Sequence, residues 1–195
     1  GVDCAVSYYG GGIDSLLALL LAVLLPAAAH AKDWNTDASG STLGFSGTYQ
    51  GEKFSGTFAR FEAAIAYDPA DLATARFDVS IDITSAATGN ADYDGQLKTA
   101  EFFDFARFPK AHFVTQSFRR EGDRVLAEGT LTLRDQSKPV TLAVRFAPSA
   151  SGATLDVSTT LKRLDFGVGS GDWADTAVIG NDVPVSAHLV LTPKS

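Results

Sequence analysis

From Thr42 onward, apolar side chains return at every second position. Phe77, Val79, Ile81 and Ile83 alternate with Asp78, Ser80 and Asp82. A period of two is that of a β-strand with one buried and one wet face. The same alternation runs through Leu43, Phe45 and Tyr49, and through Phe61, Ala63, Ile65 and Tyr67. It returns from Val125 to Leu133, from Val140 to Phe146, from Leu155 to Leu161 and from Val183 to Leu191. With residues 112–118 this makes about eight strands at hairpin spacing. Asp68-Pro69 ends the second strand, and DQSKP at residues 135–139 reads as a hairpin turn. A meander of eight strands closes most economically as an antiparallel barrel, because closure removes the exposed edges. Such a barrel is either filled by its own side chains or holds one small ligand.

The alternation fails at residues 90–105. Leu97, Ala100, Glu101 and Asp104 there fit a helical period, with Asn90 or Asp92 as cap and Pro109 as terminator. The expected fold is therefore an all-β, eight-stranded antiparallel barrel with one inserted α-helix. Within the same segment, Asn90, Asp92, Asp94, Gly95 and Glu101 match the spacing of an EF-hand calcium loop. The segment before it reads as a strand rather than an entering helix, and Lys98 puts a positive charge among the ligand positions. The acids are read instead as the first turn of a helix, favoured by its macrodipole.

The net charge of −7 and pI near 4.8 argue against nucleic-acid binding and against docking on anionic lipid through a basic patch. Cys4 is the only cysteine, so no intrachain disulfide can form. Residues 16–25, LLALLLAVLL, form an apolar run followed by Pro26 and the small-residue site Ala29-His30-Ala31. This is the pattern of a secretory signal ending at Ala31 and too short to span a bilayer. Residues 1–15 lack the basic start of a signal and carry Asp3 and Asp14, which makes them atypical and raises a non-native origin as one reading. The expected organisation is a signal-like segment over 1–31 and one barrel domain over 32–195. No stable membrane span remains once the signal is removed, and the location is the periplasm or outside the cell.

Residues for catalysis are few. Beyond residue 31 the chain has two histidines, His112 and His188, and no thiol. Neither sits in a nucleophile motif, and two separated histidines support no zinc site. An enzyme acting on an apolar substrate would have to pair His112 with Asp104 or Asp165. GVGSG at residues 167–171 lacks dinucleotide-fingerprint spacing and reads as a flexible loop leading to Asp172-Trp173. No catalytic residue, metal or cofactor is expected. What remains is apolar volume. The candidate interior carries Phe45, Phe58, Phe77, Val79, Ile81, Phe113, Leu131, Leu133 and Val144. AEFFDFARFPKAHF at residues 100–113 adds Phe102 and Phe103 as a hydrophobic latch between helix and barrel. Periodicity leaves open whether this interior is solid or hollow.

Five motifs in order resemble the YceI-like family. They are WNTDASGSTLGF, GTFARFEAAIAYDP, FDVSIDITSAATGNADYDGQLKTAEFFDFARFPKAHF, GTLTLRDQSKPVTL and LDFGVGSGDWADTAVIGNDVPVSAHLVL, spread from Trp34 to about Leu191. The resemblance implies a periplasmic, lipocalin-like barrel whose tubular interior holds a long isoprenoid chain, such as a quinone tail or a polyprenyl phosphate. It implies a binding protein for carriage or sequestration, not an enzyme, and it allows a homodimer. Many members carry a histidine near the end of the first strand, where this chain has Thr48-Tyr49-Gln50. The alternative reading is a solid barrel acting in stress response or interaction without a ligand.

Overall fold

In the computed structural model, which describes residues 31–195, the alternating segments form ten strands and one short helix. The strands are β1 (Asp33–Tyr49), β2 (Glu52–Phe58), β3 (Phe61–Ala66), β4 (Arg76–Asp82), β5 (Ala86–Ala87), β6 (Lys110–Glu121), β7 (Arg124–Leu133), β8 (Gln136–Pro148), β9 (Ala153–Lys162) and β10 (Asp182–Pro193). The helix α1 (Ala91–Leu97) lies between β5 and β6. β2 and β3 act as one bent strand opposite β1. Tyr49 pairs with Glu52 at one end and Asp33 with Ala66 at the other. β5 only extends the edge of β2. Eight staves therefore remain, all antiparallel, and the pairing of β10 with β1 closes them into the expected barrel.

Three boundaries differ from the sequence reading, each for a local reason. β1 begins at Asp33 rather than Thr42, with its register broken between Asp37 and Thr42. There Asp37 accepts hydrogen bonds from the Ser39 amide and hydroxyl, which hold its carboxyl below the usual range. The Ser41 hydroxyl accepts from the Val190 amide. The bulge hides the strand's first half because it breaks the period of two. The β7–β8 turn is the two-residue Arg134-Asp135, since Leu133 already pairs with Gln136. Arg134 takes a positive φ of 56° there. Finally, α1 ends at Leu97 rather than near Phe105. Residues 99–107 continue as turns, with the Thr99 hydroxyl donating to the Gln96 carbonyl and Asp104 in a left-handed conformation at φ 53°.

Asn90 is the helix cap, its side-chain oxygen accepting from the Asp92 and Tyr93 amides. Asp94 accepts from both the amide and the hydroxyl of Thr88. Two side chains of the EF-hand-like spacing, Asn90 and Asp94, are thus used to start a helix, inside what would be the calcium loop.

The barrel interior has two unlike ends. One is packed solid. Tyr67 and Phe77 are almost fully buried and meet Phe118 and Phe146 with ring centroids 4.9–6.0 Å apart, and Trp34 leans on Phe146 at 5.7 Å. The Trp34 indole N–H donates to the Tyr67 carbonyl, which ties the start of β1 across this floor. Leu155 and Leu191 complete it. The other end lies under α1, the turns of residues 99–107 and the segment 163–181. The signal-like segment lies outside the described residues, apart from Ala31.

Candidate functional site

Between these ends the inward side chains enclose a string of three cavities. The lower one, about 110 Å³, is lined by residues including Phe61, Ala63, Phe77, Val79, Phe113 and Leu142. The upper one, about 160 Å³, lies among Phe45, Phe58, Ala111, Leu133, Phe166 and Val183. They share Leu43, Ile81, Leu131, Leu161 and Val185 as walls. The third, about 470 Å³, is the mouth, bounded by Tyr49, Tyr93, Gln96 and Trp173, and it shares Phe54, Leu97, Phe102 and Ile179 with the upper chamber. The walls are inward positions of the strand alternation, yet Leu43, Val79, Leu131, Val157 and Val185 are only half-buried. In a solid barrel these positions would be closed off by neighbours across the axis. Here they face free space.

The sequence-derived interior residues divide among these compartments. Phe45, Phe58, Phe102, Phe103 and Leu133 line the upper chamber. Ile81 and Leu131 line both inner chambers, and Phe77, Val79 and Phe113 line the lower one. Val144 does not line a cavity. It is packed at the solid end with Val125, Ala127 and Leu155, so the structure places it in the floor rather than in the tube.

The phenylalanine-rich stretch acts as the expected latch. Phe103 sets its ring edge-on to Phe45 at 6.4 Å and lies 6.0 Å from Phe58, with Phe105 stacked behind it. Phe102 meets Trp173 at 5.8 Å. Phe108 is outside the tube, under the guanidinium groups of Arg107 and Arg134. Arg134 donates to the carbonyls of Ala100, Phe102 and Gly167, which fastens the latch to the neighbouring loop.

Sequence reasoning missed the residue that holds the rim. Arg163 is buried, and its five N–H groups each meet a backbone carbonyl. Nε donates to Gly180, Nη1 to Val168 and Gly169, and Nη2 to Trp173 and Ile179. Burial pulls its pKa down, although a guanidinium stays cationic in a protein. The glycine-rich stretch wraps this head group. Gly167, Gly169 and Gly171 all have positive φ, and a Cβ at Gly169 would stand 2.5 Å from Arg163 Nη1. The only sequence signal was alternate glycines after a lone arginine, which reads equally well as an unstructured loop.

The acid–base pairs considered from sequence are not brought together. His112 is on the outer face, its Nε2 2.7 Å from Asp78 Oδ1. That hydrogen bond, with help from Arg76, lowers the Asp78 pKa. Asp104 is buried in the turns of residues 99–107 and Asp165 is exposed. His188 lies on the outer face against Asp156. Among the described residues no histidine lines any of the three cavities. Among the described residues no helix is long and apolar enough to cross a membrane.

The family model for the YceI-like domain matches residues 34–191. Protein YceI of Escherichia coli O157:H7 is 34% identical over 142 residues, covering 67% of this chain and 71% of that protein. Among solved structures, Burkholderia cenocepacia BcnA superposes with a TM-score of 0.76 at 28% identity, covering 80% of this chain and 98% of its own. A polyisoprenoid binding domain from Saccharophagus degradans, implicated in plant cell wall breakdown, shares the fold with a TM-score of 0.62 at 20% identity, covering 85% of this chain and 100% of its own. With residues 34–191 matched by the family model and a relative 34% identical over 142 residues, the chain belongs to the YceI-like family.

Proposed function

We propose that this protein holds a long isoprenoid chain in its barrel, as a periplasmic carrier or sequestering protein. The observation that carries this reading is the row of half-buried, inward aliphatic side chains around apolar chambers that are floored at one end and reach a mouth at the other. Each inner chamber is near the ~150 Å³ of a dry engineered cavity that takes up benzene. An isoprenoid tail would occupy mouth, upper and lower chambers in turn, with the shared wall residues turning to let it pass. Burial contributes about 0.8 kcal/mol per CH₂, so a few isoprene units outweigh the cost of immobilising them without any hydrogen bond. The name of the Saccharophagus degradans relative points to the same ligand class. The apolar lining and the separated histidines favour binding over catalysis.

The test is direct. Protein purified from a bacterial periplasm is extracted with organic solvent and the extract analysed by mass spectrometry. Delipidated protein is then titrated with a long-tailed quinone and with a polyprenol. An extracted isoprenoid, or saturable one-to-one uptake, supports the reading. A clean extract together with no uptake of either probe refutes it.

A further inference from the structure

We infer that the mouth admits only an uncharged polar end on the lipid, and that Asp92 is the residue that turns away a phosphate. This rests on the isoprenoid reading above and narrows it. Of the described side chains lining the three cavities, only two are charged, Arg163 in the upper chamber and Asp92 at the mouth. Arg163 is the one cation a phosphate could meet, and all five of its N–H groups are already committed to carbonyls. An anion reaching it would have to break the bonds that fold the rim.

The backbone offers no substitute. The Asp92 and Tyr93 amides at the start of α1 are taken by Asn90, and the Thr88 amide and hydroxyl by Asp94. Lys53 and Lys98, the bases nearest the mouth in sequence, line none of the three cavities. A phosphate entering the mouth would gain no cation and stand beside the exposed Asp92 carboxylate, both of which oppose binding. Besides Thr88, the other polar side chains there are Tyr49, Tyr93, Gln96 and Trp173. Tyr93 stands edge-on to both Tyr49 and Phe54, at 5.9 and 5.4 Å. Hydroxyl, amide and indole donors among aromatic faces suit a neutral oxygen, as in a quinone carbonyl or an alcohol.

The experiment compares a polyprenol with its own monophosphate, so that the tail is constant, using delipidated full-length chain and isothermal titration. The alcohol should bind, and the monophosphate should bind roughly tenfold more weakly or worse at low salt. Asp92→Asn should narrow the gap and Asp92→Lys should narrow it further or reverse it. A thermal melt of each variant reports that the fold is kept. Equal affinity of the two lipids for the wild-type chain, or a ratio that neither substitution moves, overturns the inference and leaves the isoprenoid reading standing. Failure of both lipids to bind overturns the two together.

Discussion

Replacing Ala111 by leucine should make the delipidated protein more stable and less able to take up lipid. Ala111 is buried on β6, opposite Ile81, and its methyl group forms part of the upper-chamber wall. An empty chamber of 160 Å³ forgoes about 4 kcal/mol at ~24 cal/mol per Å³. Leucine adds three carbons, worth about 2.4 kcal/mol of burial at ~0.8 each. Fixing its side chain returns ~0.5–1 kcal/mol. The balance is about 1.5 kcal/mol, which for a domain of this size raises Tm by roughly 3–6 °C. Differential scanning calorimetry on delipidated protein measures the first effect, and the thermal shift on adding a long-tailed quinone measures the second. Lipid that binds the folded state stabilises it in proportion to its affinity, so the wild-type chain should show a shift that Ala111→Leu loses. A Tm that falls would mean the side chain meets atoms rather than space, since overpacking costs about 1–3 kcal/mol. A ligand-induced shift equal to that of the wild type would mean that the upper chamber is not on the lipid's path. Either result refutes the argument from the cavity.

Arg163→Met should lower stability by about 3–5 kcal/mol, because five carbonyls lose a charged donor at once. Arg163→Lys should fall between, since an ammonium has three donors, and a wild-type Tm for the methionine variant would contradict the assignment. Asp82 is held at a pKa of about 2 by the Thr84 side chain and Arg60, against an ordinary 3.8. A depressed carboxylate stabilises the fold fully above its unfolded pKa and ceases to do so as pH falls through the folded value. The Tm gap between wild type and Asp82→Asn should therefore be constant above about pH 5 and close towards pH 2, and a gap that persists unchanged at pH 2 speaks against the pairing. Asn90→Ala removes the cap of α1 and should cost about 1 kcal/mol, or roughly 2–4 °C in Tm by thermal melt; no change would mean that the cap is idle.

How much of this could be read in advance depends on which force acts at each residue. The strands were legible because each stave has a wet outer face, as at β4, where Asp78 and Ser80 separate Phe77, Val79 and Ile81. Where a hydrogen bond between neighbours overrode the period, legibility stopped. The bulge between Asp37 and Thr42 hid the start of β1, and the left-handed Asp104 ended helical continuity early. Pro139 suggested a turn but stands in β8, opposite Thr130. The β8–β9 ladder begins only at Ala143, so Pro139 sits where no neighbour on that side needs its missing N–H. Eight of the nine candidate interior residues on strands reach a cavity because inward phase is a local property. Val144 does not, because depth along the barrel axis is set by strand pairing, which puts it between Val125 and Val157, and not by phase along its own strand. The rim was illegible for the same reason. Arg163 works through the carbonyls of residues 5 to 17 positions away, and no spacing in the chain announces them.

The solid and hollow ends depend on one another. The two inner chambers together forgo roughly 6 kcal/mol relative to a filled core. That is comparable with the whole stability of an ordinary domain, about 5–15 kcal/mol. With no disulfide available within the described residues, the compensation has to come from packing. The floor supplies five ring–ring contacts among Trp34, Tyr67, Phe77, Phe118 and Phe146. At about 0.5–1.5 kcal/mol each beyond simple burial, they offset an amount of the same size. A floor this well packed cannot recede to admit a longer tail, because creating space there costs what the chambers above already cost. On the proposed reading, tail length is therefore limited at Phe77, where the lower chamber meets the floor, and head-group charge is selected at Asp92, at the opposite end of the same tube.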